Sequence, residues 1–305
     1  MPVHGLKADL ELAALVGSAG AVSYFIHGEV LSNIMFTFLL GALFFLIGLH
    51  LDLDFEKSLD HRLDRLTISV LSVFVLTPVI AYLFSFAAAR EAFLVIAASA
   101  TAIGSPRVWS NLSGGDGKLA GVTGSTSFLL SFIATPVLFY ILYPSADLQL
   151  LSVNAVKFAA PFVLGLMLRN YESSIVEDMR MHFSKMSFWL ITVITLVQVE
   201  FLYSSAALDI GLFVIAAVLF AVFTAVSFLA GFTAAESLGF YTRESISVGY
   251  TSASKNVALG FLLASQIGGE VIALVGLYYF VRQLTGTALV EFLRRYDISR
   301  LKPQY

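Results

Sequence analysis

The sequence contains ten apolar stretches, each close to the roughly 20 residues that an α-helix needs to cross a lipid bilayer. They lie at about 9–27, 33–51, 66–86, 91–113, 117–143, 152–168, 185–205, 208–236, 243–266 and 270–293. The chain is 58% hydrophobic and only 13% charged, whereas a soluble domain carries about 25% charged residues. The sequence therefore predicts an all-α integral membrane protein with ten transmembrane helices in one domain, residues 1–305.

Lysines and arginines are distributed unevenly between the two sides that these stretches define. Thirteen of the 18 lie on the side of the N-terminus, Arg90 alone lies on the opposite side, and four fall within the stretches. Loops rich in positive charge remain in the cytoplasm. We therefore predict a multi-pass protein of the cell membrane with both termini in the cytoplasm.

Ten helices divide into two sets of five, and a second set with an odd number of helices must insert upside down. The sequence thus predicts two inverted repeats, at about 9–143 and 152–293. The fourth helix of each set, at 91–113 and 243–266, is polar in its middle. Broken helices at corresponding positions of two repeats mark the binding sites of many secondary transporters.

The polar residues of these two helices explain why each should break. The fourth helix contains Gly104-Ser-Pro106-Arg107, and proline both lacks an amide hydrogen and disfavours a helical residue before it. The ninth contains Thr251-Ser-Ala-Ser-Lys255-Asn256. Such interruptions are tolerated only inside protein or beside a water-filled cavity. We therefore predict that helices 4 and 9 are discontinuous and that their breaks form the transport site.

Three cations, Arg107, Lys255 and Arg282, fall deep within predicted helices, and no acidic residue is comparably central. A charge at the bilayer centre costs on the order of 3 kcal/mol, so these side chains are candidates for attracting an anionic substrate. The alternative for Arg282 is an ion pair with Glu200 that only joins two helices. The other candidate substrate-binding residues are polar neighbours in helices 4, 9 and 5: Ser110, Asn111, Thr251, Asn256, Thr123 and Ser127. The last two either line the site or only permit close helix packing.

Signals for enzymes and metal sites are weak. The chain has no cysteine, which excludes disulfides and thiolate metal ligands. Asp116 has no second intramembrane aspartate as a partner, and Ser125 has no deep histidine as a base. We expect no catalytic residue, metal, cofactor or nucleic-acid partner. The expected partners are a small anionic solute, the lipid bilayer and, as a candidate coupling ion, the proton; the sequence gives no signal for or against a homo-oligomer.

Several motifs occur in an order that resembles the bile acid:sodium symporter family and its ten-helix relatives. They are Phe44-Phe-Leu-Ile-Gly48-Leu-His-Leu-Asp52, Val75-Leu-Thr-Pro78, Ser105-Pro106 with Ser110-Asn111, Phe162-Val-Leu-Gly165-Leu-Met-Leu-Arg169, and Lys255-Asn256. The resemblance implies a panel subdomain of helices 1, 2, 6 and 7 and a core of helices 3–5 and 8–10, in which helices 4 and 9 cross. It also implies transport by alternating access.

The chain departs from the sodium symporters of that family at their sodium ligands. Those proteins carry Glu-x-x-x-Gln-Asn in helix 9, where this chain has Thr251 and Lys255 before Asn256. A further ligand, a glutamine of helix 3, falls at Val73. A fixed cation in the place of sodium should exclude sodium electrostatically. We therefore predict a sodium-independent secondary active transporter of a small organic anion.

Lys255 is also the candidate coupling residue. Burial disfavours the charged form of a lysine and an anionic substrate favours it, so substrate binding would draw a proton onto Lys255. Two alternatives remain open. Cation/proton antiporters share the helix-2 ending and a lysine near a helix crossing, although helix 5 here has Gly124-Ser-Thr instead of acidic residues. The third reading is a non-transporting membrane receptor or sensor on the same scaffold.

Overall fold

The structure, a computed structural model, describes residues 29–50, 63–144, 148–171, 173–204 and 209–295. Within these residues the fold is all-helical, with eleven helices and, as extended structure, one isolated two-residue bridge. The helices are α1 (Glu29–His50), α2 (Leu63–Phe84), α3 (Arg90–Ala98), α4 (Ser105–Leu112), α5 (Gly117–Leu142), α6 (Leu148–Tyr171), α7 (Ser173–Ser204), α8 (Ile210–Ser237), α9 (Thr242–Ala253), α10 (Val257–Ala264) and α11 (Gly269–Arg295).

These helices coincide with the predicted apolar stretches from 33 onward. The stretches at 91–113 and 243–266 each correspond to two short helices, α3 with α4 and α9 with α10, so both predicted interruptions are present. The first stretch, 9–27, and both chain ends lie outside the described residues. The ten-helix count, the inverted repeat and the location of the termini therefore stay predictions.

Four of the helices within the described residues, α2, α5, α8 and α11, are long and apolar enough to cross a membrane. The outer faces of α5 and α8 expose large apolar residues such as Ile133, Ile141 and Val218, which suit contact with lipid. The nine residues of α3 rise only about 14 Å, so a broken helix crosses a bilayer only as a pair of segments.

One predicted loop is helical. The charged segment 169–184 falls between the apolar stretches at 152–168 and 185–205, which predicts a connecting loop, but α6 continues to Tyr171 and α7 begins at Ser173. Hydropathy marks the part of a helix that lies in lipid, not the length of the helix. Glutamate, methionine and arginine all favour helix, and the segment contains two of each.

The middle of α2 contains a π-helical segment, Ser72–Leu76. The amide of Thr77 donates to the carbonyl of Ser72, five residues back. The next residue, Pro78, has no amide hydrogen to donate. The carbonyl of Val73 would accept from Thr77 in an α-helix or from residue 78 in a π-helix, so it has no donor within α2.

α1 and α6 pack through two copies of one short pattern. Phe45-x-x-Gly48-Leu in α1 recurs as Phe162-x-x-Gly165-Leu in α6. A Cβ atom on Gly48 would strike the carbonyl oxygen of Phe162, and one on Gly165 would strike that of Phe45. The two backbones therefore approach reciprocally at a distance that only glycine allows.

The broken helices lie in the interior of the molecule. Residues Ala92–Ala98 of α3, Glu244–Ala253 of α9 and the whole of α10 are buried. Rings of α3 and α8 pack beside them, with Phe93 5.0 Å from Phe220 between centroids. Residues 99–101 and 254–256 of the two breaks are consequently enclosed by protein rather than facing lipid.

Candidate functional site

The two breaks, residues 99–104 and 254–256, lie side by side. Thr101 and Lys255 form an antiparallel bridge, in which the amide of Ala102 donates to Ser254 O at 2.8 Å and the amide of Asn256 donates to Ala100 O at 2.7 Å. The residue opposite Lys255 is thus Thr101. Arg107, the cation of the other polar stretch, lies within α4 and not in the break.

The ammonium group of Lys255 is bound by two backbone carbonyls. Its Nζ donates to Val73 O at 2.7 Å and to Ser99 O at 2.8 Å, and the residue is 1% exposed. The carbonyl of Val73 has no donor within α2 because of the π-helical segment and Pro78. Ser99 follows the last residue of α3 in an extended conformation, so its carbonyl has also left the helix. The π-helical segment of α2 and the break after α3 thus each supply one oxygen to Lys255.

The backbone of Lys255 is bound by two side chains of α11. Its amide donates to the Tyr278 hydroxyl at 3.2 Å, and its carbonyl accepts from Nη1 of Arg282. The Tyr278 hydroxyl in turn donates to Ala253 O at 3.2 Å. Lys255 therefore has hydrogen bonds at its amide, its carbonyl and its ammonium group.

Threonine hydroxyls bind several of the remaining carbonyls around the breaks. Thr101 donates to Thr251 O at 2.7 Å and also to Ser254 O, and Thr77 of α2 donates to Ser252 O at 3.1 Å. Thr135 of α5 donates to Ala98 O, the last residue of α3, at 2.9 Å. A membrane interior offers no water to unpaired backbone groups, so these side chains stabilise the interruption.

Arg282 is 2% exposed and is surrounded by aromatic rings. Its guanidinium carbon lies 5.1 Å from the ring centroid of Tyr279 and 5.9 Å from those of Trp109 and Tyr278. Glu200 is exposed, and the salt bridges among the described residues do not join it to Arg282. The predicted alternative of an Arg282–Glu200 pair is therefore wrong.

The two buried cations of the described residues, Lys255 and Arg282, form no salt bridge with a described carboxylate. The one buried acidic residue among the described residues is Glu244, which pairs with Arg65 at 3.4 Å. Glu244 lies eleven positions before Lys255, about 16 Å along a helix. The carbonyl ends of α3 and α9 carry partial negative charge, and each has one cation beside it: Lys255 at Ser99, and Arg282 at Lys255 O.

The amide ends of α10 and α4 differ in how they are capped. Asn256 caps α10, because its Oδ1 accepts from the amides of Ala258 at 3.0 Å and Leu259 at 3.2 Å. α4 begins at Ser105 with Pro106 in its first turn and has no side-chain cap. Gly104, just before it, is exposed, and a side chain there would meet open space. Of the two amide ends at the breaks, that of α4 is the accessible one.

The predicted site residues fall into separate groups. Thr251, Lys255, Asn256 and Arg282 lie at the breaks. Arg107 is half-buried along α5, where a Cβ on Gly121 would lie 3.2 Å from its Cδ. Two others lie farther along α4, where the hydroxyl of Ser110 forms a hydrogen bond with that of Ser247 at 2.7 Å and Asn111 is exposed. The last two lie on α5. Ser127 donates to Gly124 O at 3.0 Å, and Thr123 is buried with no partner for its hydroxyl among the described residues.

Some residues of the site were not predicted from the sequence. Ser99 contributes only its carbonyl, which every residue type possesses, and Val73 entered the prediction only through the resemblance. Tyr278 had a usable signal, because it stands four residues before Arg282 and so shares a face of α11 with it. Pro78 was a signal that α2 contains a carbonyl without a donor, but in an α-helix that carbonyl would be four residues before it, and only the π-helical segment makes it that of Val73.

The described fold combines four helices of membrane-spanning length with two helices that are broken where they meet. This is the architecture of a class of secondary transporters. The sequence model of the SBF-like CPA transporter family matches residues 4–295, and the chain belongs to this family. Family membership confirms the resemblance to bile acid:sodium symporters, marks the chain as a multi-pass membrane protein and favours transport over catalysis. No curated protein matches the chain.

Proposed function

We propose that this protein is a sodium-independent secondary active transporter that moves a small organic anion by alternating access. The observation that carries the proposal is the position of the Lys255 ammonium against Val73 O and Ser99 O. The resemblance places sodium ligands of the symporters at Val73, Thr251 and Lys255. On this proposal a tethered ammonium performs the electrostatic role that sodium has in those relatives.

The charge distribution supports an anionic substrate. Two buried cations without a neighbouring carboxylate leave a positive potential that attracts negative charge. Half-buried Arg107 lies in the first turn of α4, near the open amide end of that helix. We propose that the substrate first meets Arg107 and this helix end, and that Ser110, Asn111, Thr251, Asn256, Thr123 and Ser127 contribute as the core moves.

The proposed architecture is the ten-helix inverted repeat of the family resemblance. In this proposal α1, α6 and α7, which correspond to helices 2, 6 and 7 of the predicted ten, belong to the panel. The other described helices belong to the core. The reciprocal glycine contact of α1 with α6 supports a rigid panel. The hydrogen bonds that join α2, α3, α9 and α11 at the breaks support a core that moves as one unit.

Uptake into proteoliposomes tests sodium independence. Purified protein is offered a panel of radiolabelled carboxylates with an inward sodium gradient or with equal potassium on both sides. We expect the same initial rate of uptake in both conditions. Uptake that requires the sodium gradient would overturn the proposal.

Two variants serve as the matched comparison for sodium. Lys255→Gln restores the amide of the sodium symporters, but Thr251 still supplies no carboxylate, so we expect no sodium dependence. Adding Thr251→Glu restores both ligand types, and we expect sodium to raise the melting temperature of this double variant only. Sodium stabilisation of the wild-type protein would show that Lys255 does not fill the cation position.

Proton coupling at Lys255 is the second part of the proposal. Lysine can release a proton when its surroundings disfavour charge, whereas arginine stays protonated in proteins. We expect Lys255→Arg to bind substrate but to lose proton-driven accumulation, measured with a pH-sensitive dye inside the vesicles. Unchanged proton coupling in Lys255→Arg would show that another group carries the proton, or that the proton is not coupled.

Cation/proton exchange is the second candidate. It is favoured by the letters CPA in the family name, which stand for cation/proton antiporter, and by the two carbonyls that bind Lys255. A neutral Lys255 would leave those oxygens to a metal cation, which would enter as a proton leaves. Vesicles loaded with acid separate the two functions. If added sodium or potassium makes the vesicle interior more alkaline, and this change disappears in Lys255→Ala, the result would favour the exchanger over the anion transporter.

A further inference from the structure

α11 presents two polar side chains to the break between α9 and α10. Tyr278 and Arg282 are four residues apart and therefore lie on the same face of the helix, one turn from each other. The Tyr278 hydroxyl accepts a hydrogen bond from the amide of Lys255, and Arg282 donates one to the carbonyl of Lys255. A residue in a helix would have bonded both groups to its own backbone, so Lys255 depends on α11 for this part of its backbone bonding.

Both side chains are themselves fixed by packing. The ring of Tyr278 lies 5.5 Å from Phe220 and 6.2 Å from Phe223, both on α8. Trp109 of α4 lies beside Arg282 and against Gly286, where a Cβ atom would come within 2.6 Å of the indole. Neither side chain can turn away without disturbing α4 or α8.

We propose that Tyr278 and Arg282 are positioning residues that hold the backbone of Lys255 so that its ammonium group stays between Val73 O and Ser99 O. They act through Lys255 and need not touch substrate. The inference rests on the proposed function only in taking Lys255 as the cation of the site. On this inference the position of the Lys255 ammonium group is controlled by α11, which is part of neither broken helix.

Reductive methylation of lysine amines, followed by mass spectrometry, tests this without any transport measurement. Lys255 is compared with exposed Lys118 in the same sample, so that differences in reagent cancel. We expect Arg282→Met to raise the Lys255 methylation rate about tenfold, the scale of one lost hydrogen bond from a charged donor. Tyr278→Phe removes a single oxygen and should raise the rate several-fold, about the scale of a neutral hydrogen bond.

Three control variants separate positioning from general loosening. Arg282→Lys keeps a charged donor and should restore most of the protection that Arg282→Met loses. Arg90→Met alters an exposed arginine and should change nothing. Phe223→Leu loosens the packing around Tyr278 but retains both hydrogen-bonding groups, so Lys255 should remain protected. An unchanged Lys255 rate in Arg282→Met and Tyr278→Phe, or an equal rise in Phe223→Leu, would overturn the proposal.

Once a substrate is found, a double-mutant cycle supplies the functional readout. We expect Lys255→Met to lower kcat/KM, and adding Arg282→Met to lower it no further, because Arg282 acts through Lys255. Multiplied losses would show instead that Arg282 contacts the substrate itself. If no anion is transported, the proposed function fails while the methylation result still decides the role of Tyr278 and Arg282.

Discussion

At the scale of the residue, Lys255 supplies a cation that is covalently attached to the protein and so cannot dissociate from the site. Burying an isolated ammonium group is costly unless hydrogen bonds compensate. Here two carbonyls accept from it at 2.7 and 2.8 Å, and both are available because a helix is interrupted. Charge-assisted hydrogen bonds of this kind are about twice as strong as neutral ones. The polar breaks and the buried lysine therefore stabilise each other.

Pro78 is the residue that leaves the Val73 carbonyl free, and Pro78→Ala tests its role. The new amide hydrogen would give Val73 O a donor within α2 and weaken its bond to Lys255. Proline inside a helix costs about 3 kcal/mol, so we expect the melting temperature in detergent to rise. Anion uptake should nevertheless fall, by about tenfold for one weakened charged hydrogen bond.

Pro136 offers the matched control, since it also lies inside a helix, α5, with no described contact to Lys255. Pro136→Ala should raise the melting temperature while leaving uptake near the wild-type rate. Equal uptake in Pro78→Ala and Pro136→Ala would mean that the free carbonyl of Val73 has no part in transport.

Residue types predicted the cationic part of the site but not its ligands. Lys255 and Arg282 were identifiable because charge is rare in apolar stretches. The oxygens that bind them belong to the backbone, which is the same for every residue type. Each of the two motifs contains one cation, Arg107 or Lys255, yet the bridge pairs Lys255 with Thr101. Register between two non-helical segments depends on three-dimensional packing that a motif does not encode.

At the scale of the element, the contact of α1 with α6 is the tightest test of packing. The Cβ of Gly48→Ala would meet backbone atoms of α6, which cannot rotate away as a side chain can. Overpacking of this kind typically costs 1–3 kcal/mol, so we expect a lower melting temperature or loss of folded protein. Size-exclusion profiles and thermal denaturation in detergent measure both.

Gly41 lies on the same helix and provides the comparison. A Cβ there would stand 4.0 Å from Cγ of Pro161, an ordinary contact, and alanine favours helix over glycine by about 1 kcal/mol. Gly41→Ala should therefore be neutral or stabilising. A Gly48→Ala protein as stable as Gly41→Ala would contradict the close approach of α1 and α6.

Helix positions were predictable because a membrane requires about 20 apolar residues in a row. Helix ends were not, since α7 begins at Ser173, twelve positions before the apolar stretch at 185–205. The breaks at 99–104 and 254–256 were predictable in kind from Pro106 and from the polar run before Asn256. The π-helical segment of α2 was not anticipated, although Pro78 was visible in the sequence.

At the scale of the whole molecule, the orientation in the membrane is open to a direct test. The chain has no cysteine, so single cysteines can be introduced without further changes. Arg90 and Lys118 are both exposed and are separated by α3 and α4, one predicted crossing. In intact cells we expect a membrane-impermeant maleimide to label Arg90→Cys and to spare Lys118→Cys. Permeabilised cells should label both, and the reverse pattern in intact cells would contradict cytoplasmic termini.

If the protein transports an anion as proposed, the hydrogen bonds of two carbonyls with the Lys255 ammonium group affect the energetics of transport. A sodium ion can be released on the far side of a membrane, so its gradient can drive accumulation, whereas a side chain returns with the protein. While Lys255 keeps its proton, the only forces on a transported anion are its own concentration difference and the membrane voltage. That voltage contributes about 2.3 kcal/mol per charge for each 100 mV and, being negative inside, drives anions outward. At equal anion concentrations on the two sides, a carrier of this design exports its solute unless Lys255 also picks up and releases a proton in each cycle.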